Sequence, residues 1–291
     1  MKSGIRLSPF LPSCRFRCLV IKTGKPSCGS GSFNHLFRSF FAESGLPPEN
    51  GVYLYMGSAG AGRESARSEL RGALKNLFHI AAFMSPMMRK GPLPEAVNPG
   101  KGILLIAGTC SFCYGKNSRG ETCHTGGWGY IMGDEGSGCE MACEILRAVA
   151  KAWDGRGKPT VLTELVVEYW HLTGMDELMD CVYRSGKGKS ELASLAFLCD
   201  IAYDKGDIAA YQIMEKAAGV LSDMVTAASK KLKGDLEQLP CIYTGSLLTE
   251  SRHLKHHLEE KLLSRCPDMK LHPCKHHAAW GCAALAWRQA A

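Results

Sequence analysis

An α/β fold with its ligand site at the carboxyl ends of the strands is the class this sequence predicts, on three observations. Short apolar runs of strand length alternate with longer segments of helical periodicity, and glycine turns follow directly on the strands. One run, Ile103–Ala107, is apolar throughout, as a strand covered on both faces must be.

The first helical pattern, residues 33–44, sets Phe33, Leu36, Phe37, Phe40 and Phe41 at helical spacing and stops at Gly45-Leu46-Pro47-Pro48. Val52–Met56 is a strand that enters the turn Gly57-Ser58-Ala59-Gly60, and a charged amphipathic helix follows over residues 64–77. After the strand at 103–107, residues 112–124 read as a hairpin, turned by the Asn117–Gly120 stretch. A glycine-studded segment, 126–138, then leads into a helix that runs to Trp153. Periodicity predicts further helices over 160–172, 176–183, 190–204 and 208–233. A strand at 239–244 ends in Gly245-Ser246 and precedes a helix at 251–264, an edge-like strand at 270–272 and an apolar helix at 278–288.

With 291 residues, 45% of them hydrophobic and 22% charged, the chain can bury one large core or two smaller ones. Its 32 glycines and 13 prolines follow no period, which excludes a collagen-like chain, and no apolar run nears the roughly eighteen residues of a membrane span. The net charge of +7 is carried entirely by Lys2, Arg6, Arg15, Arg17, Lys22, Lys25 and Arg38. The remainder holds 28 basic and 28 acidic residues, so it offers no basic face to nucleic acid.

Prolines at 9, 12 and 26 break any transit-type helix in the basic start, and no apolar signal core is present. The fourteen scattered cysteines then suit a reducing, cytoplasmic setting, where a free thiol packs as a small hydrophobe. Cys110, Cys113, Cys123, Cys139 and Cys143 loosely resemble a zinc or iron-sulfur arrangement, but their spacings match no standard ligand set, and no metal site is assigned.

Three turns after strands, at Gly57-Ser58, Gly108-Thr109 and Gly245-Ser246, carry the chemistry of phosphate binding. A backbone without Cβ can approach phosphate oxygens, and a Thr or Ser hydroxyl adds a donor. The segment Gly126-Gly127-Trp128-Gly129-Tyr130-Ile131-Met132-Gly133-Asp134-Glu135-Gly136-Ser137-Gly138 is different in kind. Adjacent acids among glycines cost entropy and repulsion, which packing alone does not justify. A carboxylate there can accept sugar hydroxyls, and Trp128 can offer an apolar face to a pyranose ring.

This segment resembles the signature of the N-acetylglucosamine kinases and the BadF/BadG/BcrA/BcrD-type ATPases, members of the sugar kinase, heat-shock chaperone and actin superfamily. Leu105–Thr109 resembles the family's second phosphate loop, Cys241–Leu248 its adenosine-side turn, and Ala202–Ala218 its nucleotide-side helices. The resemblance implies a two-lobed ribonuclease H-like (actin-like ATPase) fold with an incomplete amino-terminal lobe. The division is an irregular basic segment over 1–32, a remnant of the amino-terminal lobe over 33–101, a carboxy-terminal lobe with a helical insertion over 102–277, and a terminal helix over 278–291.

It also implies transfer of the γ-phosphoryl group of ATP, with Mg²⁺, to an amino-sugar substrate. Gly127, Trp128, Gly129 and Asp134 would line the sugar pocket and Ser58 would reach it. Gly108 and Thr109 would hold phosphate, and Gly245 would sit beside the adenosine. No membrane or nucleic-acid partner is implied, and a homodimer is left open.

The chain departs from the family in two places. It has no Asp-Gly-Gly-Gly-Thr loop, and no aspartate precedes Asp134; Glu95 is the only acid between Glu69 and Glu121. His79–Gly100 does not follow the family pattern, so no catalytic base is assigned. The expectations are therefore impaired phosphorylation or, alternatively, a non-catalytic sugar- and nucleotide-binding relative or degenerate fragment. Cys110, standing where the family has glycine, is expected to crowd the phosphate loop and to resist a positive φ there.

Overall fold

The computed structural model describes residues 101–184, 186–232 and 240–275, together with Ser68 and the backbone of two strands nearer the amino terminus. The chain divides into two compact units, residues 1–100 with 275–291 and residues 101–274. In the first unit, β1 (Val52–Tyr55) and β2 (Ile80–Met84) pair in parallel. β1 falls where the sequence places a strand, whereas β2 lies in His79–Gly100, where the sequence suggests none. Apart from helical Ser68, the expected helices at 33–44, 64–77 and 278–288 lie outside the described residues, as do Ser58 and Glu95.

The second unit is built on a five-stranded mixed sheet in the order β5-β4-β3-β6-β7. These strands are β3 (Gly102–Ala107), β4 (Ser111–Lys116), β5 (Thr122–Gly126), β6 (Cys241–Thr244) and β7 (Leu271–Pro273). β3 is central, with Ile103, Leu104, Leu105 and Ala107 all fully buried, as its unbroken apolar run requires. It pairs antiparallel with β4 through a tight connection and parallel with β6, Ile106 facing Thr244. Because β3 and β6 run the same way, their two following glycine turns emerge side by side at one edge of the sheet.

The helices begin with α1 (Gly138–Trp153), capped by Ser137, whose hydroxyl accepts from the Glu140 N–H while Glu140 Oε2 accepts from the Gly136 N–H at 2.9 Å. α2 (Leu162–Tyr169) and α3 (Asp176–Tyr183) follow. The single helix expected at 190–204 is instead α4 (Lys189–Ala193), a 3₁₀ turn (Ser194–Phe197) and α5 (Leu198–Asp204). The Ser194 hydroxyl donates to the Glu191 carbonyl at 2.6 Å, a local bond that competes with regular helix where the turn tightens.

α6 (Ile208–Lys231) is the backbone of the unit. Ala217, Ala218, Leu221, Val225 and Ala228 on its buried face pack into the core, each large aliphatic among them contributing about 1.5–3 kcal/mol by burial. It lies against β4 and β5 closely enough for the Thr125 hydroxyl to donate to the Met224 carbonyl at 2.8 Å. Asp207 caps α6 through the Ala210 N–H and also accepts from Thr160 Oγ1 and the Val161 N–H, fastening the start of α2 to the start of α6.

After β6 comes a one-turn helix, α7 (Ser246–Glu250), where the sequence suggested only a turn, and then α8 (Arg252–Arg265) packed along α6. Among the described residues no helix is long and apolar enough to cross a membrane.

Candidate functional site

At the ends of β3 and β6 the two glycine turns are in contact. Gly245 has φ +103°, and a Cβ there would lie 2.1 Å from the carbonyl oxygen of Ala107, so only glycine lets the strands end together. A Cβ at Gly108 would meet Ser246 at ordinary contact distance. Gly108 itself is tied inward: its N–H donates to the Cys110 carbonyl at 3.0 Å and its carbonyl accepts from the Gly138 N–H at 2.7 Å. Among the described residues the Thr109 hydroxyl has no hydrogen-bond partner, so it is a donor this loop leaves unspent. Cys110 takes a negative φ, since Asp134 and His171 are the only described non-glycine residues with positive values. The loop therefore does not demand the conformation that a cysteine was expected to resist.

The glycine-rich turn closes on itself and then on this loop. The Gly133 N–H donates to the Gly129 carbonyl at 2.7 Å, and Gly133 lies so close to Trp128 that a Cβ would meet the Trp128 Cβ at 2.9 Å. The Ser111 hydroxyl donates to the Glu135 carbonyl at 2.5 Å, and the Gly138 bond to Gly108 fixes the other side. Two of the segments singled out in the sequence, 108–111 and 126–138, are thus one hydrogen-bonded assembly.

Within that assembly the two adjacent acids part. Asp134 is 3% exposed and adopts φ +59°, a left-handed conformation uncommon without glycine, while Glu135 stays half-buried. Lys189, the first residue of α4, reaches across to place its Nζ 2.9 Å from Asp134 Oδ2. The same ammonium lies 3.6 Å from the Cys110 Sγ and 4.7 Å above the Tyr130 ring. A buried carboxylate is costly to desolvate, and this pair offsets that cost. Burial works against the Lys189 charge, but the hydrogen bond it donates to Asp134, with the adjoining Cys110 thiol, holds its ammonium above the ordinary lysine range. Burial and the Asp134 charge together push the Cys110 thiol up.

Trp128 is 64% exposed, its ring 6.0 Å from that of His124, and Tyr130, Ile131 and Met132 are exposed beside it. Gly127 and Gly129, both in left-handed conformations, flank Trp128 in this turn. Residue types and spacing could flag Asp134 and Trp128, but not Lys189, which lies 55 residues along the chain from Asp134 and reads only as the edge of a helix.

Among the described residues the cysteines do not assemble into a cluster. Cys113 is buried in β4 and Cys110 exposed beyond β3. Cys139 and Cys143 pair one turn apart on α1, where their hydrogen bond brings Cys143 down to about 6 and pushes Cys139 well up. Among the described residues no group of three or more His, Cys, Asp or Glu side chains is placed to hold a metal ion.

Residues 31–286 match the model of the BadF/BadG/BcrA/BcrD ATPase family. The chain is 30% identical over 231 residues, 79% of its length and 76% of the relative's, to an N-acetylmuramic acid/N-acetylglucosamine kinase of Clostridium acetobutylicum. It is 33% identical over 175 residues to an N-acetyl-D-glucosamine kinase of Dictyostelium discoideum, a match covering 58% of this chain and 54% of that protein.

Among solved structures, a candidate N-acetylglucosamine kinase of Chromobacterium violaceum superposes with a TM-score of 0.73 at 22% identity, over 91% of this chain and 88% of that one. The hexokinase of Schistosoma mansoni in complex with glucose superposes at 0.54 and 11% identity, over 89% and 75%. At these identities the structures establish the fold alone, that of the actin-like ATPases.

Proposed function

The chain belongs to the BadF/BadG/BcrA/BcrD ATPase family, and from that premise we propose that it is a sugar kinase acting on N-acetylglucosamine or a related amino sugar. One observation supports the reading: the buried Asp134 carboxylate of the 126–138 turn is joined to the Gly108–Thr109 loop through Ser111, Gly138 and Lys189, so the carboxylate we assign to the sugar and the Thr109 hydroxyl belong to one hydrogen-bonded assembly. Asp134 would accept hydroxyls of the sugar, with Gly127 and Gly129 shaping the turn and the exposed Trp128 offering its ring. Because the Gly108 N–H is spent on Cys110, the Thr109 hydroxyl is the group that would meet phosphate, with Gly245 and Ser246, which lie against Gly108, on the adenosine side. MgATP, when bound, would supply the phosphoryl group and the metal charge that its oxygens require. Positioning and charge stabilisation are then this chain's contribution.

Turnover is expected to be slow. The sequence has no Asp-Gly-Gly-Gly-Thr segment and no aspartate before Asp134, and loss of a general base alone removes about 10² to 10⁴ in rate. Purified protein with magnesium, ATP and N-acetylglucosamine should form sugar phosphate at well under roughly one per second, the low end of kinase rates. Turnover at or above that rate would show that Glu95 or another acid serves as base.

Asp134→Asn should weaken sugar binding by about 1.5–3 kcal/mol through loss of a charge-assisted hydrogen bond, read by calorimetry. Unchanged affinity would remove Asp134 from the site. Sugar binding with no turnover at all would make the chain a non-catalytic relative, the second reading that the absent aspartate favours. No affinity for any amino sugar would defeat both.

A further inference from the structure

Three segments distant in sequence converge on one ammonium: the loop after β3 through Cys110, the glycine-rich turn through Asp134 and Tyr130, and α4 through Lys189 itself. The approach is built from both ends. On one side Asp134 is held in a left-handed conformation by a turn bonded to the Gly108 loop at two points. On the other, the start of α4 is fixed by reciprocal bonds, the Gly188 N–H donating to Glu191 Oε2 at 2.8 Å and the Glu191 N–H to the Gly188 carbonyl at 3.0 Å. Lys189 thus leaves a fixed backbone and meets a fixed carboxylate. The pair is asymmetric in burial, 5% exposed at the Asp134 side chain against 34% at Lys189, so the carboxylate depends on the contact far more than the ammonium does.

We infer that Lys189 is a positioning residue for the amino-sugar site: it clamps Asp134 Oδ2, turning the carboxylate's remaining acceptor capacity toward the sugar hydroxyls, and makes α4 a structural part of the binding site. The inference rests on the sugar-kinase reading, and it assigns Lys189 no contact with the sugar and no share in the chemistry. A carboxylate freed from the clamp would gain torsional freedom and must then be ordered by the ligand, so the loss should fall on sugar affinity. Nucleotide affinity, set at Thr109 and Gly245, should stay where it is.

The test is calorimetric titration of N-acetylglucosamine, and separately of MgATP, into the full chain and into Lys189→Met and Lys189→Arg. The methionine keeps the apolar stem and removes the charge, and the arginine restores a cation able to reach the carboxylate. The expected result is a loss of about tenfold or more in sugar affinity for Lys189→Met, most of it recovered in Lys189→Arg, with MgATP affinity unchanged in both. Sugar affinity that is unaltered in Lys189→Met overturns the inference. Tighter sugar binding does so too, by showing that the ammonium blocks the carboxylate. A loss shared equally by sugar and nucleotide, or left unrecovered by arginine while the melting temperature falls, reduces Lys189 to a fold contact. A wild-type chain that binds no amino sugar defeats the underlying reading and this inference with it, whereas a binding wild type with an indifferent Lys189→Met defeats the inference alone.

Discussion

Along the ligand end of the described unit, Gly126, Gly127, Gly129, Asp134, Gly136 and Gly245 all have positive φ, while α1, α5, α6 and α8 on the helical side contain no such residue. The ligand end leaves Trp128, Tyr130, Ile131 and Met132 in solvent and buries a carboxylate. The helical side is built mainly on apolar burial, of Ile145, Leu221, Val225, Leu254 and Leu258 among others, and leaves most of its ion pairs exposed. The two meet where Gly136 lies against α6, so close that a Cβ there would stand 2.9 Å from the Ala217 carbonyl oxygen and from Leu221 Cγ. One region uses backbone conformations that cost free energy to shape a site, and the other supplies the apolar burial that offsets them. Side-chain changes at the ligand end should therefore cost binding more than stability, and changes on the helical side stability more than binding.

The largest expected effect tests where that division stops. Gly245→Ala changes only a ligand-end residue, yet its Cβ would overlap the Ala107 backbone in the central strand at a φ that alanine avoids, and backbone cannot move aside as a side chain can. A loss of about 3 kcal/mol or more in stability is expected, by chemical denaturation, together with loss of nucleotide binding. A stable Gly245→Ala protein would mean that the β3–β6 ends tolerate separation and that the comparison is drawn too sharply.

On the helical side, Asp207→Ala removes three hydrogen bonds from a buried carboxylate that joins α2 to α6. A loss of about 2–3 kcal/mol is expected, with amino-sugar affinity in the surviving folded protein within about twofold of wild type. A large fall in affinity instead would show that the helical layer sets the site geometry directly.

The smallest effect is one of pH. His257 is buried between Tyr203 and Tyr211, its Nε2 3.2 Å from the Tyr203 hydroxyl. Burial, aided by His256 and Lys261 against the opposing Glu260 and Glu215, lowers its ionisation below the ordinary imidazole range. The folded state therefore favours the neutral ring. That contribution is complete above the unfolded value of about 6.5 and is lost as the pH falls through the lowered folded value. Wild-type melting temperature should fall more steeply from pH 7 to pH 5 than that of His257→Gln, which keeps a hydrogen-bonding group and cannot titrate. Parallel curves would show that this part of the helical side is as tolerant of charge as the exposed surface.

Much of this architecture is legible in residue order because it depends on local periodicity. The strand at 103–107, the hairpin after it, the helix from 138 to 153 and the long helix from 208 each follow from apolar spacing and turn chemistry, and their boundaries shift by only a residue or two. The sequence also marked the glycine turns at 108 and 245 and the segment 126–138. Two details differ from what periodicity predicts. The break in the helix expected at 190–204 comes where the Ser194 hydroxyl turns back on the Glu191 carbonyl, and α7 forms where β6 ends against β3.

By itself the sequence determined the α/β class, the membership of a family of ATPases and the residue types gathered in the candidate site, because these reside in periodicity and in contiguous motifs. Only the tertiary structure decided that Asp134 would turn inward while Trp128 faces solvent, that the Gly108 N–H would be used up within its own loop, and that Lys189 would close on Asp134. The physical reason is that burial, a left-handed φ at a non-glycine residue and a salt bridge between residues 55 positions apart arise when separate segments pack together. No segment carries them before it meets the others.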